Sequence, residues 1–367
     1  MAGRVIRFPQ RSASPEDIER SADRVLAAPL SERASRAEEL RLEEPDLLLS
    51  LSARLRDRLD TSPAVVREEA EFIYRFLLAP ERPIGLFDER EYFLGEFALV
   101  SGTACRQLSR REEARLWFDR SEAGFRHTMN AVADLSRLAY QRLALRLEER
   151  NLEAVLELSP SLVQSFQKLS MPQEELKARF LEGLALMETE RLAEAVDVFR
   201  SICSEAEALG SEKLLAASLT NLTHLFGMQA DVEGAIATSQ RAIPILKRIE
   251  DRVALAKVQW GLATLLRETG KIAQSIETYR AAQVEFEQIG MRADVAALHL
   301  VIADLLLELG QEAAATQSVL EALPVIQDLN MVPEGMAALQ LLRESLREQK
   351  IDRPALRELH GYFEEIR

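Results

Sequence analysis

The sequence predicts an all-α protein, a solenoid of antiparallel helix pairs, and three observations predict it. Apolar residues recur at three- and four-residue spacing rather than in alternation, the pattern of helices that bury one face. A small residue recurs at Ala114, Ala154, Ala195, Ala235, Ser275, Ala315 and Ala355, at intervals of 40, 41, 40, 40, 40 and 40. Tight turn signals stand between the helices, as at Thr269-Gly270-Lys271. A step kept over seven units marks a repeat array, in which each helix pair is buried only by its neighbours.

The stretch 253–289 shows the unit. Its first helix carries Leu255, Val258, Leu262, Leu265 and Leu266 on one stripe. Its second carries Ile272, Ile276, Tyr279, Ala282, Val284 and Phe286, with Ser275 small enough to let the pair approach. Gly270 permits the positive φ that closes a helix. The segments EEARLWF, LEAVLEL, AEAVDVF, EGAIATS, AQSIETY, AAATQSV and PALRELH repeat this second-helix start.

Taken in order, residues 1–13 read as a flexible tail, within which Val5-Ile6-Arg7-Phe8 reads as plain tail in preference to a short docking motif. Ser14-Pro15-Glu16-Asp17 is a helix start: a cap serine, a first-turn proline, and acids favoured by the helix dipole. That helix runs to about Ala27 and another lies within 31–42. Pro45 opens a third through Leu47, Leu48, Leu51 and Leu55, and Pro63 a fourth through Val66, Phe72, Ile73, Phe76 and Leu77. These helices keep no step, so 14–80 reads as an amino-terminal cap or an eroded repeat. Pro80, Pro83 and Gly85 break the chain, making 79–88 the candidate boundary, and the regular array spans 81–330. The segment 331–367 reads as a closing helix pair. In its last helix Asp352 is the cap and Leu356, Leu359, Tyr362, Phe363 and Ile366 form the apolar face, with a wet opposite face as a terminal cap requires.

These units resemble the tetratricopeptide repeat family in its longer form of about 40 residues per unit. The residues that carry the resemblance are Leu262, Ala263, Gly270, Ser275, Tyr279 and Ala282, with Leu181, Gly183, Ala195 and Phe199, and Gly102, Ala114 and Phe118, in earlier units. The pattern departs from the family at Glu190 and Ala230, where a turn glycine is usual, and in irregular helix-ending prolines. The long form is similar to Pins-type adaptors, the sensor domain of the maltose regulator, and Rap-type peptide receptors. The resemblance implies a right-handed superhelix whose concave wall is lined by the first helix of each pair.

Composition narrows the function classes. The chain has 367 residues and a net charge of −14. Such a surface repels phosphate backbones, which argues against direct nucleic-acid binding. No run of apolar residues is long enough to span a membrane, and the amino end lacks the apolar stretch of a secretory signal. Two cysteines, Cys105 and Cys203, imply no disulfide framework and fit a reducing cytoplasm. Arginine outnumbers lysine, as in proteins of GC-rich bacterial genomes.

Motifs for chemistry are not found. His127, His224, His299 and His360 have no second histidine or cysteine at metal-ligand spacing. No phosphate-cradling glycine loop and no Gly-x-Ser-x-Gly elbow occurs. The acids stand beside arginines, as in LRLEER, and read as solvated ion pairs. No cofactor and no enzymatic activity is expected.

Binding remains. The family register aims Arg106, Ala139, Arg146, Lys177, Phe180, Thr220, His224, Lys257, Trp260, Thr264, Arg267 and Asp304 inward, with Tyr140 one position along. This basic and aromatic set suits a peptide or protein segment with acidic groups. The bland reading makes Trp260 and Phe180 core and the arginines ordinary surface. The lysine and asparagine pattern that clamps chaperone carboxyl tails is absent. The favoured function is a cytoplasmic adaptor or scaffold in bacterial signalling. The alternative is a peptide- or ligand-sensing regulator acting through a partner, and a helical enzyme ranks last.

Overall fold

A computed structural model describes residues 14–29, 44–79, 87–126, 128–327 and 351–365, with the single positions 32, 339, 340, 342 and 345. The expected tail 1–13, His127, Ile366, and most of the expected helices within 31–42 and 331–350 and of the boundary 79–88 lie outside the described residues. Among the described residues there are sixteen helices and no strand.

The chain divides into two compact units, Met1–Thr189 and Glu190–Arg367. The first holds α1 (Pro15–Ala27), α2 (Pro45–Asp57), α3 (Pro63–Leu78), α4 (Phe87–Gln107), α5 (Arg111–Phe125), α6 (Ala131–Glu148), α7 (Leu152–Lys168) and α8 (Pro172–Glu188). The second holds α9 (Leu192–Ala208), α10 (Glu212–Met228), α11 (Val232–Arg248), α12 (Arg252–Glu268), α13 (Ile272–Gln288), α14 (Arg292–Glu308), α15 (Glu312–Gln327) and α16 (Arg353–Glu365). Within the array the even-numbered helices from α4 to α14 are the first members of pairs.

The turns set the repeat. Among the described residues ten adopt a left-handed backbone, and from Arg150 to Gly310 they stand twenty apart: 150, 170, 190, 210, 230, 250, 270, 290 and 310. Glu190 and Ala230, which lack the usual glycine, adopt it with φ of 59° and 57°. At Gly270 the amide donates to the Arg267 carbonyl at 2.9 Å, and the next amide, of Lys271, reaches back to the Leu266 carbonyl at 2.9 Å. This double closure satisfies carbonyls that a helix end would otherwise leave bare. Lys271 is also the N-cap of α13, so one residue ends a helix and starts the next, and the chain has no slack to do anything but reverse.

The register of the second helices is finer than the small-residue step. The amide bonded to the carbonyl of each second-helix N-cap belongs to Ala114, Val155, Ala195, Ala235, Ser275, Ala315 and Leu356. Val155 and Leu356 therefore hold the positions expected for Ala154 and Ala355. The amides of Ala154 and Ala355 instead bond to cap side chains, Asn151 Oδ1 at 3.4 Å and Asp352 Oδ1 at 3.1 Å. Val155 is fully buried and Ala154 is half-buried. At the other crossings the small residue works as expected: the Ser275 hydroxyl donates to the Ala263 carbonyl at 2.7 Å. The prolines that break family pattern, Pro160, Pro244 and Pro324, lie inside second helices rather than at their ends.

Cores follow the apolar stripes. In unit 1, α1–α4 bury Leu47, Leu48, Leu51, Leu55, Val66, Ile73 and Phe97 together. The α4–α5 crossing is tight because Gly124 abuts the Gly95 backbone, where a Cβ would come within 2.6 Å of the Gly95 nitrogen. Gly102 likewise leaves room for the buried Phe118 ring. In unit 2 one cluster runs through α12–α16 and takes in Trp260, Tyr279, Phe286, Leu356, Leu359 and Phe363. Val284, expected on the apolar stripe, is exposed.

Candidate partner-binding site

On unit 1 a cavity of about 430 Å³ is lined by side chains from four even-numbered helices, α2, α4, α6 and α8, with Leu59 from the turn after α2 and Phe166 from α7. The floor is apolar, formed by Leu59, Leu99, Val100 and Phe166, and Tyr140 stands in the wall. Arg56, Arg137, Gln141, Glu174 and Lys177 make the rim. Burial pushes the Tyr140 phenol above its usual pKa, against the lowering charge of Arg106. It is therefore a neutral hydrogen-bonding group at any physiological pH.

The two rim arginines are anchored on one buried carboxylate. Glu96 is fully buried on α4. Its Oε1 accepts from the Ser52 hydroxyl at 2.8 Å, from Arg56 at 2.8 Å and from Arg137 at 3.2 Å, and its Oε2 accepts from Arg137 at 3.0 Å. Burial opposes ionisation of Glu96, but the charges of Arg137 and Arg56 outweigh it and hold the carboxyl below its usual pKa. Asp134 is the weaker partner of Arg137, at 3.4 Å. Burial raises its pKa to about 6, against the pull of Arg137. Lys177, by contrast, is exposed and makes no ion pair among the described residues. The cavity thus has two fixed guanidiniums whose charge is largely met from below, and one cation free to meet an incoming anion.

The structure distributes the other expected residues differently. Arg106 is taken up in an ion pair with Glu148, and Phe180 is half-buried. Arg146 and Ala139 lie on another face of α6, lining a different cavity. In unit 2, His224 and Lys257 are exposed, while Thr220 bonds to its own helix at Ala216. Thr264 lies 2.8 Å from the Tyr279 hydroxyl. Trp260 is a correction: at 7% exposure it belongs to the core, where aromatic rings of α13 surround it. Asp304 is also engaged, by Arg353 and Arg357 of the closing helix α16, which with Arg267 lines a cavity of about 380 Å³.

Arg137 was missed in the sequence. Counted from the left-handed turn residues, positions 137, 177, 217, 257 and 297 are equivalent and hold Arg, Lys, Ala, Lys and Ala. Positions 140, 180, 220, 260 and 300 are likewise equivalent, so Tyr140 sits in register rather than beside it. The interval of 41 at Ala154 shifts the register read from the small residues by one. Arg56 stands on a helix without a step and carried no signal. Among the described residues no cluster of acids, histidines or cysteines could hold a metal, and no helix is long and apolar enough to cross a membrane.

No family model and no curated protein matches the sequence. Solved structures match in fold. A signal-transduction ATPase with a tetratricopeptide repeat sensor from Pyrococcus horikoshii aligns with a TM-score of 0.59 at 14% identity, over 93% of this chain and 55% of that one. Aspartyl phosphate phosphatase F from Bacillus subtilis aligns with a TM-score of 0.53 at 14% identity, over 97% and 94%. The Rap conjugation gene regulator of plasmid pLS20, in complex with a Phr peptide, aligns with a TM-score of 0.51 at 16% identity, over 95% and 94%. The chain is thus a helical repeat protein of the tetratricopeptide-like, Rap-like architecture.

Proposed function

We propose that this protein is an adaptor in bacterial signalling that receives a peptide, or a segment of a partner protein, on the cavity of unit 1. The observation that carries the reading is the cavity lined by α2, α4, α6 and α8, with an apolar floor, a neutral tyrosine and an unpaired lysine at its edge. An apolar side chain fits the floor, and an acidic group fits Lys177 beside the anchored arginines. The Rap regulator solved with a peptide supports the choice of a peptide over a rigid protein surface. It also supports the second reading, a sensor whose output passes through a partner.

No catalytic role is assigned to any residue: the shifted carboxylates are accounted for by the Glu96 ion-pair network, and the Tyr140 phenol is shifted mainly by burial, away from the range of a general acid or base. Likeness at these identities to a protein called a phosphatase is a likeness of fold. The cytoplasm is the proposed compartment: Cys105 and Cys203 are free, and burial pushes each thiol up to about 11, so both stay protonated and inert.

The test is selection of short peptides from a random display library on the intact chain, followed by titration of the selected peptides. Enrichment of sequences with an acidic residue next to an apolar one, with binding lost in Lys177→Glu and Tyr140→Ala, is expected. Selected peptides that bind both variants like wild type would rule the cavity out.

A further inference from the structure

A second cavity, of about 510 Å³, opens on a different face of α6, between that helix, α5 and α7. Its walls are mainly apolar, with Leu135, Leu143, Leu158 and Leu162 among them. Val132, 67% exposed, stands at its lining, and Leu158 is partly exposed as well. It lies at the α6–α7 pair, where Val155 replaces the small residue of the other crossings.

The residue beneath this opening breaks the repeat. In nine turns the amide that closes the helix bonds to a carbonyl one turn back, and the residues giving that carbonyl are equivalent. Eight of them, Cys105, Phe166, Ala206, Phe226, Leu246, Leu266, Phe286 and Leu306, are apolar and buried. The ninth is Arg146, which lines the cavity. An arginine there replaces the apolar side chain that the other eight turns bury, a departure of the kind that marks functional sites.

The charges around it leave Arg146 alone. Arg142 is held by Asp119 and Glu122, each at 2.7 Å, and Glu122 is also met by Arg126 at 2.6 Å. The hydroxyls of Ser136, Ser161 and Ser165 donate to carbonyls of their own helices. Among the described residues Arg146 makes no ion pair or side-chain hydrogen bond. An apolar cleft of this volume, with one cation left unpaired among the described residues, has the make-up of a small-molecule site.

We infer that the α5–α6–α7 cleft binds an alkyl carboxylate, its chain along the leucines and its carboxylate on the Arg146 guanidinium. The charge balance selects the anion: among the described residues Arg146 is the one charged group lining the cleft without a counter-charge. The chain is selected by the walls, whose apolar area is removed from water on binding. This site is independent of the peptide cavity, since it uses other residues of α6.

The experiment is calorimetric titration of the intact chain with dodecanoate below its micelle concentration, alongside methyl dodecanoate, dodecyltrimethylammonium and a peptide ending in Leu-Leu with a free carboxylate. Dodecanoate should bind, with the ester and the cation weaker by about tenfold or more, the worth of a charge-assisted pair. Arg146→Leu, which restores the usual residue of the register, should abolish dodecanoate binding while raising the melting temperature. Arg146→Gln, with circular dichroism as folding control, should weaken binding to the level of the ester. Equal binding of ester and carboxylate, unchanged binding in Arg146→Leu, or binding of the peptide but not of dodecanoate would overturn the assignment.

Discussion

The indole of Trp260 meets the ring of Phe286 edge-on, with centroids 5.8 Å apart and planes at 81°. Tyr279 presents a second edge at 6.5 Å. This geometry suits the electrostatics of aromatic pairs and joins α12 to α13 at the centre of the unit 2 core. Trp260→Ala should therefore cost about 3–5 kcal/mol of stability, read as a lower denaturation midpoint, and should expose no partner site directly. A variant that keeps wild-type stability would return Trp260 to the surface.

Trp260 shows where sequence reading stopped. Its position on a first helix was legible, because the repeat step places every helix and turn. Which way the ring turned was not, since the same register position holds half-buried Tyr140 in one unit and buried Trp260 in another. The difference comes from neighbours: α14 brings in Leu298, Leu300 and Val301, all buried in the same cluster. The cation row was half legible. Lys177 and Lys257 were legible, but Arg137 was hidden by a one-residue slip at Ala154, because the residue whose amide meets the N-cap carbonyl there is the larger Val155. The anchoring of Arg56 and Arg137 on Glu96 joins residues about 40 apart in sequence and left no local trace.

The turn residues make a second prediction. Left-handed backbone costs a residue with a Cβ roughly 1 kcal/mol or more relative to glycine. Ala230→Gly should therefore stabilise by up to about 1 kcal/mol, and Gly270→Ala should destabilise by a similar amount, both measured by chemical denaturation. Opposite signs would contradict the shared turn geometry.

Glu96 carries a third. Replacing one member of a buried ion-pair group leaves its partners uncompensated, so Glu96→Gln should cost about 3–5 kcal/mol. Urea unfolding at neutral pH reads this directly. Because Arg56 and Arg137 lose their anchor, peptide affinity should drop in the same variant at denaturant concentrations where it remains folded.

His299 supplies a pH dependence. It is buried, with Nε2 2.7 Å from the Gln283 amide nitrogen and Nδ1 3.3 Å from Ser318 Oγ. Burial lowers its pKa, against the raising influence of Glu321 and Glu287. The folded protein then binds fewer protons than the unfolded chain below the ordinary histidine pKa, so this contribution is intact at pH 7.5 and is lost as pH falls below about 6.5. The slope from this group is at most about 1.4 kcal/mol per pH unit. His299→Gln should flatten the thermal stability profile between pH 7 and 5, and an unchanged profile would show that the ring is not held neutral.

The most direct test of the proposed function compares two exposed lysines that share one register position. A peptide selected on the intact chain is titrated against wild type, Lys177→Glu and Lys257→Glu, with circular dichroism as folding control and at two salt concentrations. The account predicts that Lys177→Glu weakens binding by about tenfold or more, that Lys257→Glu binds like wild type, and that wild-type affinity falls as salt rises. Wild-type affinity in Lys177→Glu, or a larger loss in Lys257→Glu, would contradict a peptide site on α2, α4, α6 and α8.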